Sequence, residues 1–406
     1  MKRALVVNAY AQGNWGDSAI VEGVIDSLRS AGFDHVALAP VDWRTRSTGR
    51  LSVDADEVVP PLVNLYDVPK WLRRPRPAML AYAVGRMAGY GVGRPRDEAL
   101  RSYRQADVIV SVGGAYLGGS KLGSNLIKAM NIRAGVMTGR PTFVAPITVN
   151  PFSANVGRIL HWGLHGASLF ARDAQTMTRF REAGLEGVLV PDIAFRAPTL
   201  LRQAASSADA GPRTGTPTIG WAPRGYRRDH RAWGDPEAAE RLTLSAVRRI
   251  LGASDDRLRF IPHVRAGTTD DDLDAVNRLL AQLTPAERER AEVAKTPETL
   301  EDAVRQYADV DVLVTSRMHA AIFALAVGTP AIAVAYEPKV AGVMADVGLA
   351  DRVVPADARL SVAALIDLVA RLRSPVERAR TREAYARVQG RFAAFDTALR
   401  TAAGQS

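Results

Sequence analysis

Residues 311–339 read DVLVTSRMHAAIFALAVGTPAIAVAYEPK. The stretch opens on a β-branched apolar run, Asp311–Thr315, and passes into a helical pattern over Met318–Val327. It turns at Gly328-Thr329-Pro330 and ends on a second apolar run, Ala331–Tyr336. Gly stops a helix and Pro opens the next element, so the uncharged segment 320–336 reads as helix, turn and strand and not as a membrane span. Strand, helix and strand in succession make a βαβ unit, whose two strands must lie parallel. Runs that do not alternate with polar residues belong to strands covered on both faces.

Outward from this unit the same alternation continues. Upstream are strands at Thr218–Ala222 and Arg257–Pro262 and helices near Pro236–Leu251, Thr269–Gln282 and Leu300–Ala308. Downstream come a helix over Ala341–Val347 and an Arg-rich helical pattern over Val376–Ala402. The N-terminal half repeats the theme, with strands at Ala4–Asn8, His35–Ala39, Asp107–Val112, Pro141–Pro146, Ala167–Arg172 and Gly187–Pro191 and helices at Ser18–Ala31 and Ala174–Ala183. Residues 197–216 lose the periodicity and collect Ala, Ser, Gly, Thr and Pro, which reads as a linker. The expected fold is therefore α/β, with two doubly wound Rossmann-like domains, residues 1–200 and 213–406, facing a cleft. The C-terminal helix is expected to cross back.

A chain of 406 residues suits two domains. Zero cysteines exclude a disulfide framework, a Cys-ligated zinc or iron–sulfur site and a thiol nucleophile. No His/Asp cluster has metal-ligand spacing, and neither metal nor cofactor is expected. The net charge is +10, and 47 of the 53 basic residues are Arg, which points to anionic partners. Nucleic acid, a membrane surface and a small phosphorylated substrate share that chemistry. The basic segment Tyr66–Arg104 reads as a helical insertion with a solvated face, with an acceptor-side patch for an anionic polymer or peripheral contact at a membrane as its sharper reading. No nucleic-acid-binding motif accompanies the charge. The short apolar run after Met1 is too brief for a signal peptide, so the expected location is the cytoplasm.

Three strand-to-helix junctions carry candidate chemistry. At the first, Gly13-Asn14-Trp15-Gly16-Asp17 lets the backbone turn tightly and aims helix amides outward. Asp17 there is either an N-cap or a contact to substrate hydroxyls. At the second, Gly113 and Gly114 open a glycine-rich turn that allows close backbone approach. The third, Ser316-Arg317-Met318-His319, sets an anion-binding fork and a proton-transfer group either side of one residue at a helix start. Lys339, after the next strand, is placed to face the same anion. Arg172 and Arg224, each following a strand, are further cations expected to project toward a ligand. Asp173 reads as an N-cap, Asp270–Asp272 as helix-start acid, and His263 as structural.

In sum these motifs resemble the polysaccharide pyruvyl transferases. The resemblance rests on Gly13–Asp17; Val112-Gly113-Gly114; Ala171-Arg172-Asp173 with Pro191–Phe195; Ser316–His319; Gly328-Thr329-Pro330; and Tyr336–Lys339. Met318 stands where that family usually has Leu, a volume-conserving change. The resemblance implies a GT-B-like fold and transfer of pyruvate from phosphoenolpyruvate, as donor substrate, to a glycan or lipid-linked glycan acceptor, usually as a ketal. It implies Arg317, His319 and Lys339 as catalytic residues, with Arg172, Ser316 and Met318 on the donor, to which the strand-end reading adds Arg224. Asn14, Gly16, Asp17, Gly113 and Gly114 complete the expected substrate contacts. Two competing readings are a nucleotide-sugar glycosyltransferase of the same architecture and a non-catalytic binder of anionic polymer.

Overall fold

The computed structural model describes residues 1–10, 13–41, 54–63, 94–208, 216–224, 236–264, 271–335, 338–356 and 361–404. They form two compact units. The first comprises 1–12, 20–197 and 391–406, and the second 13–19 and 198–390.

The first unit holds β1 (Arg3–Ala9), β2 (His35–Pro40), β3 (Glu57–Val58), β4 (Val108–Ser111), β5 (Gly114–Gly119), β6 (Thr142–Phe152), β7 (Ser168–Ala171) and β8 (Val188–Leu189). The sheet runs β3-β2-β1-β4-β6-β7-β8, with β5 pairing β6 beyond its contact with β4 and every described pair parallel. One apolar cluster packs Leu5, Val7 and Ile109 against helices Arg94–Gln105 and Leu122–Met137. Another packs Val144, Ile147 and Leu169 against helices Ala154–Leu164 and Ala174–Glu182.

The second unit holds β9 (Thr218–Ala222), β10 (Arg257–Phe260), β11 (Ala291–Val293), β12 (Val312–Thr315), β13 (Ala331–Ala335) and β14 (Val353–Pro355). Their order, β11-β10-β9-β12-β13-β14, is that of a Rossmann sheet. Val312 and Val314, two apart and so on one face, join Ile219, Phe260 and Ile332 under helices Pro236–Ala253 and Val362–Leu372. Helix Met318–Ala326 is buried on all sides except at His319. Both sheets reverse their strand order at one point, between β1 and β4 and between β9 and β12, and ligands in such sheets bind at the carboxyl ends of the strands flanking that point.

Several expectations change. The supposed linker 197–216 contains a helix, Pro198–Ala208, with Leu200 wholly buried. Its Ala-rich composition resembles a loop, yet Ala is the best helix former and Pro suits the first helical position; residues 209–215 lie outside the described residues. The long C-terminal pattern is two helices, Pro375–Gln389 and Ala393–Ala402, parted at Gly390–Phe392. The second of them belongs to the first unit, where Phe395 meets Phe170 edge-on at 5.0 Å, so the C-terminal helix does return. The partition also departs from 1–200 and 213–406 in that residues 13–19 go with the second unit. The glycine-rich segment after β4 is a strand, β5, and not a plain turn into a helix. Of the basic insertion, Arg94–Gln105 is a helix that buries Ala99 and Tyr103, and residues 64–93 lie outside the described residues.

Candidate active site

In the second unit, register places the candidate cations together. Thr315 at the end of β12 pairs with Ala222 at the end of β9 and with Ala333 of β13. Arg317 and Arg224 each lie two residues beyond that pair, on the two strands flanking the switch point, and both are buried. Lys339, half-buried, follows β13 in the first turn of helix Pro338–Asp346. Ser316 holds the strand end to its neighbour by donating its amide to the Ala222 carbonyl (3.2 Å). Met318, also buried, is the first residue of the following helix.

Arg317 stands at the N-cap position with an extended backbone, and its amide donates to Thr315 Oγ1 (2.9 Å). Its side chain turns to Asp272, which is fully buried: Nε donates to Oδ1 (3.1 Å) and Oδ2 (3.2 Å), and Nη2 donates to Oδ1. Oδ2 also accepts the amides of His263 (3.1 Å) and Val264 (2.9 Å). His263 lies with its ring centroid 6.5 Å from that of His319, the planes 24° apart. Burial first, and then the charges of His319 and Arg317, drive the His263 pKa well below 6.5, so the ring is neutral. Tyr307, whose phenol burial holds well above its ordinary pKa, stays protonated and shares a hydrogen bond with His263 Nδ1 (2.8 Å).

The segment Asn14–Asp17 completes this corner. Asn14 forms an antiparallel bridge with Val264 and caps helix Trp15–Ser30, its Oδ1 accepting the Gly16 amide (3.1 Å) while its Nδ2 donates to Asp17 (3.0 Å). Asp17 is thus not the N-cap; it sits in the first helical turn, held by the cap. A Cβ on Gly16 would lie 2.0 Å from His319 Nδ1, so only glycine admits the imidazole at this distance.

The remaining candidates belong to the first unit. Arg172 does not project outward. It is buried, with Nε donating to Thr148 Oγ1 (2.8 Å) and Nη1 paired with Asp192, which also caps Ile193–Arg196. Thr148 is in turn drawn to Asp173, the N-cap of helix Ala174–Glu182, as expected. Gly113 lies where a Cβ would meet the Pro146 carbonyl at 2.3 Å, and Gly114 takes a positive φ of 121° as β5 begins. At the carboxyl end of β1, Asn8 adopts φ 59° and donates to Ser111 Oγ (3.0 Å).

Two residues escaped the sequence reading. Asp272 was masked as one of three helix-start acids, whereas its neighbour Asp271 is the actual cap. Tyr307 sits in an amphipathic helix, Leu300–Ala308, with nothing in its spacing to set it apart from core. Among the described residues, no group of three or more His, Asp or Glu could hold a metal ion, and no helix is long and apolar enough to cross a membrane.

Solved structures share the fold. A glycosyltransferase from Rickettsia africae is 13% identical, with 98% of this chain and 96% of that one covered at a TM-score of 0.57. A putative UDP-N-acetylglucosamine 2-epimerase from Listeria monocytogenes is 9% identical over 98% and 97% of the two chains, with a TM-score of 0.53. The UDP-GlcNAc 2-epimerase of Methanocaldococcus jannaschii is 14% identical over 91% and 92%, also at 0.53. The architecture is that of the GT-B glycosyltransferases and their epimerase relatives. No curated protein matches the sequence. The family model described as polysaccharide pyruvyl transferase matches residues 14–338, from the Asn14 cap to the first residue of helix Pro338–Asp346, and the chain belongs to that family of transferases.

Proposed function

We propose that this enzyme transfers pyruvate from phosphoenolpyruvate to hydroxyls of a glycan or lipid-linked glycan and forms a ketal. The observation that carries the reading is the placement of Arg317 and His319 either side of Met318 at the sheet's switch point, within the span of the family match. Arg317, Arg224 and Lys339 follow adjacent strand ends and supply cations for a donor bearing both phosphate and carboxylate. His319 is the one residue of its helix that is only half-buried, at the helix start where an anion is favoured.

In the reaction His319 delivers a proton to the methylene carbon while a sugar hydroxyl attacks the central carbon, forming one C–O bond. The hydroxyl proton returns to His319. A second hydroxyl then displaces phosphate, its proton leaving on the phosphate oxygen, and Arg317 and Lys339 stabilise the departing anion. Each ketal releases one phosphate, and the acceptor gains one pyruvate less one water. Asn14, Gly16 and Asp17 carry the acceptor side of this scheme, and no cofactor enters it. The test is incubation with a glycan panel and either phosphoenolpyruvate or a UDP-sugar. Phosphate release with the stated mass gain, from phosphoenolpyruvate alone, is the expected result. Sugar transfer from the nucleotide would overturn it.

A further inference from the structure

We infer that Asp272 is a positioning residue, setting the plane of the Arg317 guanidinium and tying it to the backbone that carries His263 beside His319. The inference rests on the donor reading above. Asp272 occupies the first turn of helix Asp272–Leu280 yet does not cap it, since Asp271 accepts the Leu273 amide instead. Its carboxylate is turned wholly inward. Oδ1 takes the Nε and Nη2 edge of Arg317, and Oδ2 takes two consecutive amides, His263 and Val264. The Asp272 amide in turn donates to the Val264 carbonyl (3.0 Å), closing a small ring of bonds. Val264 is also the residue bridged to Asn14, two positions before Gly16 against the His319 ring. One carboxylate thus fixes the fork meant for the anion and joins it to both sides of the histidine. A two-point grip on one edge sets the guanidinium's plane as well as its position. A positioning role of this kind is read in binding and rate, because small misplacements of a charged contact cost far more than the contact's own distance suggests.

The experiment titrates phosphoenolpyruvate into the wild type, Asp272→Asn, Arg317→Ala and the double variant, with melting curves for each and KM for donor and acceptor measured separately. Asp272→Asn keeps the shape and loses the charge. It should weaken phosphoenolpyruvate binding roughly 10- to 100-fold, raise KM for the donor and leave KM for the acceptor unmoved. The double variant should bind no worse than Arg317→Ala. Should Asp272→Asn not fold, Asp272→Glu retains the charge with the carboxylate displaced by one methylene, and the same rise in donor KM is expected at a near-native melting temperature. Donor binding unchanged in the folded Asp272 variant while Arg317→Ala is weakened would overturn the positioning role alone, as would losses that multiply in the double variant. Unchanged binding in Arg317→Ala would overturn the donor reading and this inference with it.

Discussion

Arg172 and Arg317 look alike on paper. Each follows a short parallel strand, precedes a helix, and in the fold pairs with a buried aspartate, Asp192 or Asp272. Their surroundings differ. Arg172 is ringed by hydrogen bonds that close local structure: Thr148 on β6, the Asp173 cap behind it, and Asp192 capping a single turn. Arg317 instead shares its aspartate with the backbone amide of His263, whose ring lies beside His319, and stands at the switch point. A strand-end arginine is therefore ambiguous in itself, and what its aspartate also holds decides what it does.

The sharpest break between the two corners should come from His319→Ala, which is expected to lower pyruvyl transfer about 10²- to 10⁴-fold with the melting temperature nearly unchanged. Phosphate release measures it, and near-normal turnover would remove His319 from the chemistry. Next in size is Arg172→Ala, which strands a buried carboxylate and should cost about 3–5 kcal/mol of stability in urea unfolding. A small cost there would mean that the first corner is not structural. Gly16→Ala tests the contact across the active corner. The added methyl has no room beside His319, so the ring must shift, at a cost of about 1–3 kcal/mol and with a fall in kcat that exceeds the fall in donor affinity. Equal falls would argue that Gly16 serves packing alone.

The smallest effect is a pH dependence. His263 is neutral when folded because its pKa is depressed, so the unfolded chain binds the extra proton first. The stability it contributes is complete above about pH 6.5 and is lost as pH falls from there toward the depressed folded value. His263→Gln, which keeps an acceptor for Tyr307 and cannot take a proton, should flatten that decline by at most about 1.4 kcal/mol per pH unit. Parallel urea-midpoint profiles for the two proteins would contradict the assignment.

Much of this was legible in the sequence, for physical reasons. Strands buried on both faces announce themselves as apolar runs, so β1, β9, β12 and β13 were readable, as was the Arg317-Met318-His319 turn between two of them. Helix Pro198–Ala208 was not, because Ala and Ser carry no amphipathic signal strong enough to outweigh a loop-like composition. The break at Gly390 was hidden by continuous helix-forming residues on either side. In the site, chain-local motifs were visible and partners distant in sequence were not. Asp272 is 45 residues before the arginine it holds, and the left-handed Asn8 announces nothing by type. Arg172 was expected to project toward a ligand, and its closure by Thr148 and Asp192 needed the fold.

The central claim is that the Arg317 corner, and not the Arg172 corner, is what holds the anionic donor. Calorimetric titration of phosphoenolpyruvate into Arg317→Ala and Arg172→Ala, each shown to be folded at the temperature used, tests it most directly. The account predicts affinity lost in the Arg317 variant and retained in the Arg172 variant. The reverse pattern would contradict it.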